Sequence, residues 1–566
     1  MPNSEAPRGP SRLILDYVFE HESTQPDRVF LTQPVGGGQV VDYTWAGALD
    51  EARRMAAHLL AGGLQPGARV AMLAKNSAHF VIAELAIWMA GGTTVAIFPT
   101  ESAQNVRYVL EHSEASLLFI GKLDGWPQQR DALPPGLRAI ALPLAPQTPF
   151  ESWAQIVGRT APLGGRPARR GDDLAMLLYT SGSTGQPKGV MQGFAGITRA
   201  AEGIEREAER REGKDARARI LSYLPLAHVF ERAWVECASL VTGRAHIYFT
   251  ESLATFVDDL KRARPTLFIS VPRLWTKFQQ SVLAHMPAQQ LDAMLADPAT
   301  APAVGRKVLA SLGLDAVVRA GSGSAPCPAE LIAWYRRLGL DLGDGYAMTE
   351  DFAYSHRSTP DASTPGCVGL PFPEVEVRLD TDGEILIKSP GQLLGYYKRP
   401  DLDAECFTAD GFFRTGDLGE RQPDGQLKLV GRKKELFKTG KGKYVAPAPI
   451  ENRLNAHPMI ELSMVSGVGQ PAPYAIVVLD ENLRPRVAEA SVHDRVQAEL
   501  ETLLQRINAE LPVYERLRML VIAREPWSIE NGCLTPTMKI KRARIEASVQ
   551  ERVAAWYDSP AQVVWA

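Results

Sequence analysis

Residues 177–192 read Leu177-Leu-Tyr-Thr-Ser-Gly-Ser-Thr-Gly-Gln-Pro-Lys-Gly-Val-Met-Gln192. Two leucines and a tyrosine read as the end of a buried strand, and a loop follows. It offers three glycines (Gly182, Gly185, Gly189), four hydroxyls (Thr180, Ser181, Ser183, Thr184) and one lysine, Lys188. Glycines let backbone N–H groups approach an anion, hydroxyls donate further hydrogen bonds, and the lysine adds a mobile positive charge. That set suits a polyphosphate. It lacks the G-K-[ST] ending of a Walker loop, because Pro187 precedes Lys188 and Gly189 follows it. The alternative is a flexible Gly/Ser surface loop; the apolar run before it and the ordered mix of residue types favour a phosphate cradle.

Working outward, helical and strand signals alternate. The periodicity predicts an amphipathic helix over 43–61, a strand at 69–73, a helix over 76–90, a strand at 95–98, a helix near 103–112 and a strand at 116–120. Such alternation predicts layered α/β sheets, largely parallel. The apolar run 80–98 approaches the length of a membrane span. Glu84 inside it and the Gly91-Gly92 break instead predict a buried helix followed by a strand. Residues 122–170, rich in proline, glycine and arginine, read as irregular connection. The mixed-charge stretch 205–219 reads as a solvated helix or loop. Short β-like pieces with tight turns dominate from about 380, as at Asp424-Gly425. After Gly431 the pattern returns to mixed α/β. The expected organisation is a large N-terminal domain, 1–430, with a β-rich subdomain, and a small mobile C-terminal domain, 431–566.

Composition bounds the function. The chain has 566 residues, enough for more than one domain, and 45% hydrophobic and 22% charged residues mark an ordinary soluble protein. A net charge of −3 gives no bulk attraction to nucleic acid or anionic lipid. Five dispersed cysteines without a C-x-x-C pair argue against zinc sites and disulfide frameworks, and suit a reducing cytoplasm. The first residues carry no apolar segment of the secretory kind, so a cytoplasmic or membrane-peripheral protein without a transmembrane segment is expected.

The word Tyr179–Val190 resembles the signature loop of the adenylate-forming enzymes, which include acyl-CoA synthetases, luciferases and nonribosomal-peptide adenylation domains. The resemblance runs from roughly Tyr43 to Arg542. It implies a cradle for ATP phosphates built from Thr180, Ser181, Gly182, Ser183, Thr184, Gly185 and Lys188. Phe413-Arg-Thr-Gly-Asp417 resembles the family word whose aspartate accepts both ribose hydroxyls, and one carboxylate can take two such donors. Arg432 resembles the arginine that also contacts the ribose. In Asp344-Gly345-Tyr346-Ala-Met-Thr349-Glu350 the resemblance implies that Tyr346 stacks on adenine, Thr349 bonds the α-phosphate, and Glu350 with Thr184 holds Mg²⁺, a cation suited to oxygen ligands. Many relatives have glycine where this chain has Ala347. Ser322-Gly323-Ser324-Ala325-Pro326 resembles the loop bordering adenine and the acyl pocket.

Tyr223-Leu-Pro-Leu-Ala-His228-Val-Phe-Glu-Arg232 resembles the segment whose histidine faces the acyl carboxylate. With Pro265–Trp275 it resembles the long-chain fatty acyl-CoA synthetase branch. Trp234 lines or gates an acyl channel, or is a core tryptophan. The words 366–371 and 395–400 are explained by structural turns. Gly431–Pro447 resembles a hinge and pantetheine-tunnel motif, with Lys434 at the hinge and Gly442 where the slim pantetheine arm passes. Its lysines form a solvated face or attract the phosphates of coenzyme A. Leu534–Arg542 resembles the motif of a terminal catalytic lysine; spacing to Arg542 assigns it to Lys539, with Lys541 the rival. The implied activity is ATP-dependent formation of a fatty acyl-AMP, then acyl-CoA. Alternatives are a ligase of the same fold for an aryl, medium-chain or hydroxy acid, an acyl-AMP ligase serving a separate carrier protein, and a non-catalytic nucleotide-binding homologue.

Overall fold

The computed structural model describes residues 12–180, 186–359 and 362–566. Its architecture follows the alternation in the sequence. Among the described residues one sheet has eight strands: Gly395–Tyr396, Lys188–Gly193, Leu174–Thr180, Thr93–Ile97, Arg69–Leu73, Leu117–Ile120, Arg138–Ala141 and Glu151–Ser152 in spatial order. The first two join antiparallel and the rest are parallel. A second, nine-stranded sheet centres on parallel Leu342–Tyr346, Arg319–Ser322, Leu267–Ser270, Arg219–Ser222 and His246–Phe249.

Helix Ala78–Met89 contacts strands of both sheets, and all of its residues are buried. The Ser77 hydroxyl caps it, accepting from the Phe80 amide at 3.3 Å, and Gly91 (φ +83°) turns the chain into Thr93–Ile97. Its larger apolar side chains each contribute roughly 1.5–3 kcal/mol by leaving water. Glu84 is tolerated there because Arg232 meets it at 2.7 Å and meets Glu236 at 2.6 Å, all three fully enclosed. Burial pushes Glu84 well above the usual carboxylate range, against the pull of Arg232 and with Glu236 as a like-charged neighbour. No helix among the described residues is long and apolar enough to cross a membrane.

Two expectations change. The helix expected over 43–61 begins at Trp45, because Tyr43 and Thr44 finish strand Gln39–Thr44, and the Thr44 hydroxyl then caps the helix. Residues 122–170 are not merely irregular. They supply edge strands Arg138–Ala141 and Glu151–Ser152 and helix Trp153–Arg159, whose Trp153 and Ile156 enter the core between the prolines.

An antiparallel four-stranded sheet, Glu376–Leu379, Glu384–Lys388, Phe413–Arg421 and Leu427–Arg432, follows the large sheets. From Phe437 onward the chain builds a separate core: strands Ile460–Ser466, Tyr474–Leu479, Leu520–Ile522 and Val563–Trp565 pack on helix Ala490–Glu510. Arg273 reaches Glu461, and Lys277 reaches Glu481 at 2.9 Å, tying this C-terminal unit to helix Pro272–His285.

Candidate active site

A cavity of about 2010 Å³ lies between the large sheets and the C-terminal unit. Single-ligand pockets are about 300–1,000 Å³, so there is room for more than one ligand. Strands Leu174–Thr180 and Lys188–Gly193 bring Thr180 opposite Lys188, both on the cavity wall. The residues between them that the sequence assigns to the cradle, Ser181 to Gly185, lie outside the described residues. Lys188 holds its ammonium 5.6 Å from the centre of the Tyr396 ring, and the Tyr396 hydroxyl donates to Glu350 Oε1 at 2.8 Å.

Thr349 and Glu350 occupy a single 3₁₀ turn, Thr349–Asp351, held from several sides. Gln192 Nε2 donates to the Thr349 carbonyl at 2.8 Å and the Leu393 amide to the Glu350 carbonyl at 2.7 Å. Asp351 accepts from the Met348 amide at 3.0 Å, and burial pushes its carboxyl up to about 8. Phe352 (φ +52°) and Ala353 (φ +55°) then both take the left-handed conformation, which side chains rarely adopt and surrounding packing must maintain. The indole of Trp234 supplies part of that packing, donating to the Ala353 carbonyl at 3.2 Å. Trp234 stands on a π-helical turn, Arg232–Cys237, and lines the cavity edge-on to Phe230 and Phe372.

Asp417 faces Arg432 because their strands pair in that register. Arg432 Nε donates to Asp417 Oδ1 at 2.7 Å and the Tyr346 hydroxyl to Oδ2 at 2.8 Å. Asp417's charge raises the Arg432 pKa, so the guanidinium stays charged. Asp344 behaves differently. Its two oxygens accept from the Gly345 amide at 3.0 Å and the Cys327 amide at 3.3 Å, and burial pushes it up to about 8. It ties the Gly323, Ser324 and Ala325 loop to strand Leu342–Tyr346, and that loop turns at Ser324 (φ +67°) to border the cavity.

His228 caps a short helical turn, its Nδ1 accepting from the Phe230 amide at 3.2 Å. Burial, reinforced by the ammonium of Lys539, lowers it to about 3, so it is neutral at pH 7. Below it Asn76, Ser222 and the Tyr223 amide bond the buried Glu231, whose carboxyl burial pushes up to about 8.

Lys539 comes from the C-terminal unit. Its turn is fixed by the Thr535 amide donating to the Lys539 carbonyl at 2.8 Å and by the Lys539 amide donating to the Thr535 hydroxyl at 3.1 Å. The side chain projects into the cavity. It keeps accessible area there, yet walls of both parts of the molecule surround it. That crowding, then Arg432's charge, lowers its pKa, against Asp417, Glu350 and Glu435, which favour the ammonium. Lys541 lines the cavity as well, with its charge near Glu101, and Arg542 is taken by Glu451 at 2.8 Å. Lys434 lines the same cavity from the 3₁₀ turn Lys433–Glu435. Gly442 does not. It turns the hairpin between Phe437–Lys438 and Tyr444–Val445 with φ +77°, away from the cavity wall.

Sequence reasoning overlooked Tyr396, which sits in the word 395–400 read only as a turn, and Gln192, which closes the signature stretch. It also overlooked the floor of the cavity. Ile269, Gly321 and Gly343 stand side by side on adjacent strands, and the two glycines leave a trough under helix Phe194–Glu212. A Cβ at Gly321 would meet Ile269 Cγ2 at 3.5 Å, an ordinary van der Waals contact, so a methyl group is accommodated there without a clash. Helix Phe194–Glu212 confirms a helix at the start of 205–219, but Glu207 and Arg211 turn to the cavity rather than to solvent alone.

The profile described as AMP-binding enzyme matches residues 18–397, and the profile described as AMP-binding enzyme C-terminal domain matches 436–561. The chain belongs to the AMP-binding enzyme family. Within this family it is 32% identical to the long-chain-fatty-acid–CoA ligase FadD15 of Mycobacterium bovis, over 96% of each chain. It is 29% identical to long-chain-fatty-acid–CoA ligase 1 of Homo sapiens, over 87% of this chain and 79% of that one. The fold matches the adenylation domain of a Mycobacterium chelonae carboxylate reductase with a TM-score of 0.81 at 23% identity, covering 97% of this chain and 92% of that one. It also matches the anthranilate CoA ligase AuaEII, TM-score 0.76 at 21% identity, covering 98% and 100%.

Proposed function

We propose that this AMP-binding enzyme is a long-chain fatty acid–CoA ligase working through an acyl-adenylate. The observation that carries the reading is Lys539, brought by the C-terminal unit into the cavity that also holds Asp417, Arg432, Tyr346 and Glu350.

In the first half-reaction a carboxylate oxygen of the acid attacks the α-phosphorus of ATP. The bond to the β-phosphate oxygen breaks and pyrophosphate leaves. Asp417 and Arg432 hold the ribose hydroxyls, the Tyr346 ring lies against adenine, and Thr349 bonds the α-phosphate. Lys188 and the loop Thr180–Gly185 balance the β- and γ-phosphates. Mg²⁺, when bound, would neutralise phosphate charge, and the Glu350 carboxylate with the Thr184 hydroxyl offers the hard oxygen donors it prefers. Neutral His228 faces the carboxylate without adding charge, and Lys539 offsets the charge developing on the bridging oxygen. In the second half-reaction the thiol sulfur of coenzyme A attacks the acyl carbon, its proton leaves to solvent, and AMP departs with the shared oxygen. Lys539 then has to withdraw. A hinge at Lys434, near the start of a C-terminal domain over 431–566, would swing Gly442 to the cavity in its place.

The fatty substrate is supported by the apolar trough over Gly321 and Gly343 and by the relatives named above. The test is release of AMP and pyrophosphate across a panel of acids, with and without coenzyme A. Acid-dependent pyrophosphate release without coenzyme A, and AMP release with it, is the expected result. Higher kcat/KM for acetate or benzoate than for hexadecanoate would overturn the substrate.

A further inference from the structure

The half of the cavity away from Lys539 runs along strand Arg319–Ser322 beneath helix Phe194–Glu212. Its walls are apolar at first, with Ile204, Leu267 and Ile269, and then become charged. Arg357 meets Glu207 at 2.9 Å, Arg211 meets Glu207 at 3.2 Å, and Arg319 meets Glu212. These side chains are mostly buried, with 11% of the Arg319 and 17% of the Glu212 side chain left exposed. Burial alone would raise Glu207, but bonds from Arg210 and Arg357 hold it at about 2, so Glu207 meets its arginines as a carboxylate. An apolar tail gains nothing from lying against paired charges, and each pair it displaces must find water instead.

Four residues separate Gly323, beside the reacting end, from Arg319. At about 3.3 Å per residue that is roughly 13 Å, the extent of about ten carbons in a zigzag of bonds near 1.5 Å.

We propose that the ion-pair collar of Arg319, Glu212, Glu207, Arg211 and Arg357 is the chain-length gate of the acyl channel. Straight-chain acids up to about ten carbons lie inside it, and longer acids pass only when the Arg319–Glu212 pair parts. The inference rests on the fatty-acid ligase reading and deepens it. Charged side chains suit a gate better than an apolar plug does, because an ion pair that keeps an edge in water can part and rehydrate, whereas a packed apolar wall must leave a void.

The test compares kcat/KM for pyrophosphate release with decanoate and hexadecanoate in the wild type, Arg319→Ala and Glu212→Gln. The second variant preserves side-chain shape, so it carries the test if Arg319→Ala folds poorly. The hexadecanoate-to-decanoate ratio is expected to rise at least about fivefold, the upper end for a solvent-exposed ion pair expressed as a ratio and so a floor for this more buried one, and chiefly through a lower KM for hexadecanoate. A merely structural role would lower both acids together and leave the ratio alone. A ratio within twofold of the wild type, or a lower one, in folded protein overturns the gate while leaving the ligase standing. Wild-type enzyme inactive with every acid would overturn both.

Discussion

Replacing Lys539 by alanine removes a cation that the C-terminal unit places beside Glu350, Asp417 and His228. At an effective dielectric near 20, unit charges about 4 Å apart interact by about 4 kcal/mol. At about 1.4 kcal/mol per decade, losing that interaction with the developing charge slows adenylation by about three orders of magnitude. Deleting one preorganised donor elsewhere costs a similar 10²–10³-fold or so. Two assays divide the effect. Pyrophosphate release from ATP and hexadecanoate without coenzyme A should collapse. AMP release from pre-formed hexadecanoyl-adenylate and coenzyme A should stay near wild type, because Lys539 has left by then. Equal loss in both assays, or adenylation within tenfold of wild type, would refute the reasoning. The pH profile gives an independent check. Crowding lowers the Lys539 pKa, so adenylation, which needs the ammonium, should fall off at a lower pH than an ordinary lysine would dictate. Lys539→Arg should carry that limb to higher pH.

Asp417→Asn should raise the KM for ATP about 10–100-fold, the cost of hydrogen bonds to a charged group, with little change in thermal stability; an unchanged KM would free Asp417 of the ribose role. Glu231 is fully buried and held up to about 8 against an ordinary 4.5. The folded state therefore keeps a proton that the unfolded chain loses, and stability drains as pH rises from 4.5 to 8, by up to about 1.4 kcal/mol per pH unit. Tm measured between pH 5 and 8 should decline less steeply in Glu231→Gln, and parallel slopes would refute the assignment. Gly203→Ala would place its Cβ 2.1 Å from the Tyr354 hydroxyl oxygen. Overpacking of this kind costs roughly 1–3 kcal/mol, so Tm should drop, and Tyr354→Phe should not restore it, because the Cβ also meets the ring carbons Cζ and Cε2; an unchanged Tm in Gly203→Ala would refute the close packing.

The residues most legible in the sequence were those whose partners are set by local pairing. Thr180 and Lys188 end up opposite each other because they are close in the chain and their strands pair antiparallel, and Asp417 meets Arg432 because a β-hairpin fixes their register. Lys539 was separable from Lys541 by spacing, and both line the cavity, with Lys539 near Asp417 and Glu350 and Lys541 near Glu101. Asp344 was harder. A motif shows a carboxylate but not which way it points, and this one is spent on the Cys327 and Gly345 amides. Tyr396 and the charged collar were invisible for another reason. Glu207, Arg319 and Arg357 come from a helix and two strands far apart in the chain, and only tertiary packing brings them to one opening.

The trough floor bears on how such a protein changes over generations. Gly321 and Gly343 are in register on neighbouring parallel strands, and at Gly321 a methyl group would find ordinary van der Waals distance rather than a clash. A single codon change there raises the floor by one carbon while every backbone hydrogen bond of the sheet stays in place. Substrate range and folding stability are thus nearly uncoupled at this position, since the added atom fills empty space rather than strained structure. On the fatty-acid reading proposed above, lineages carrying this sheet would shorten or narrow the acids they accept in small steps, without first acquiring extra stability.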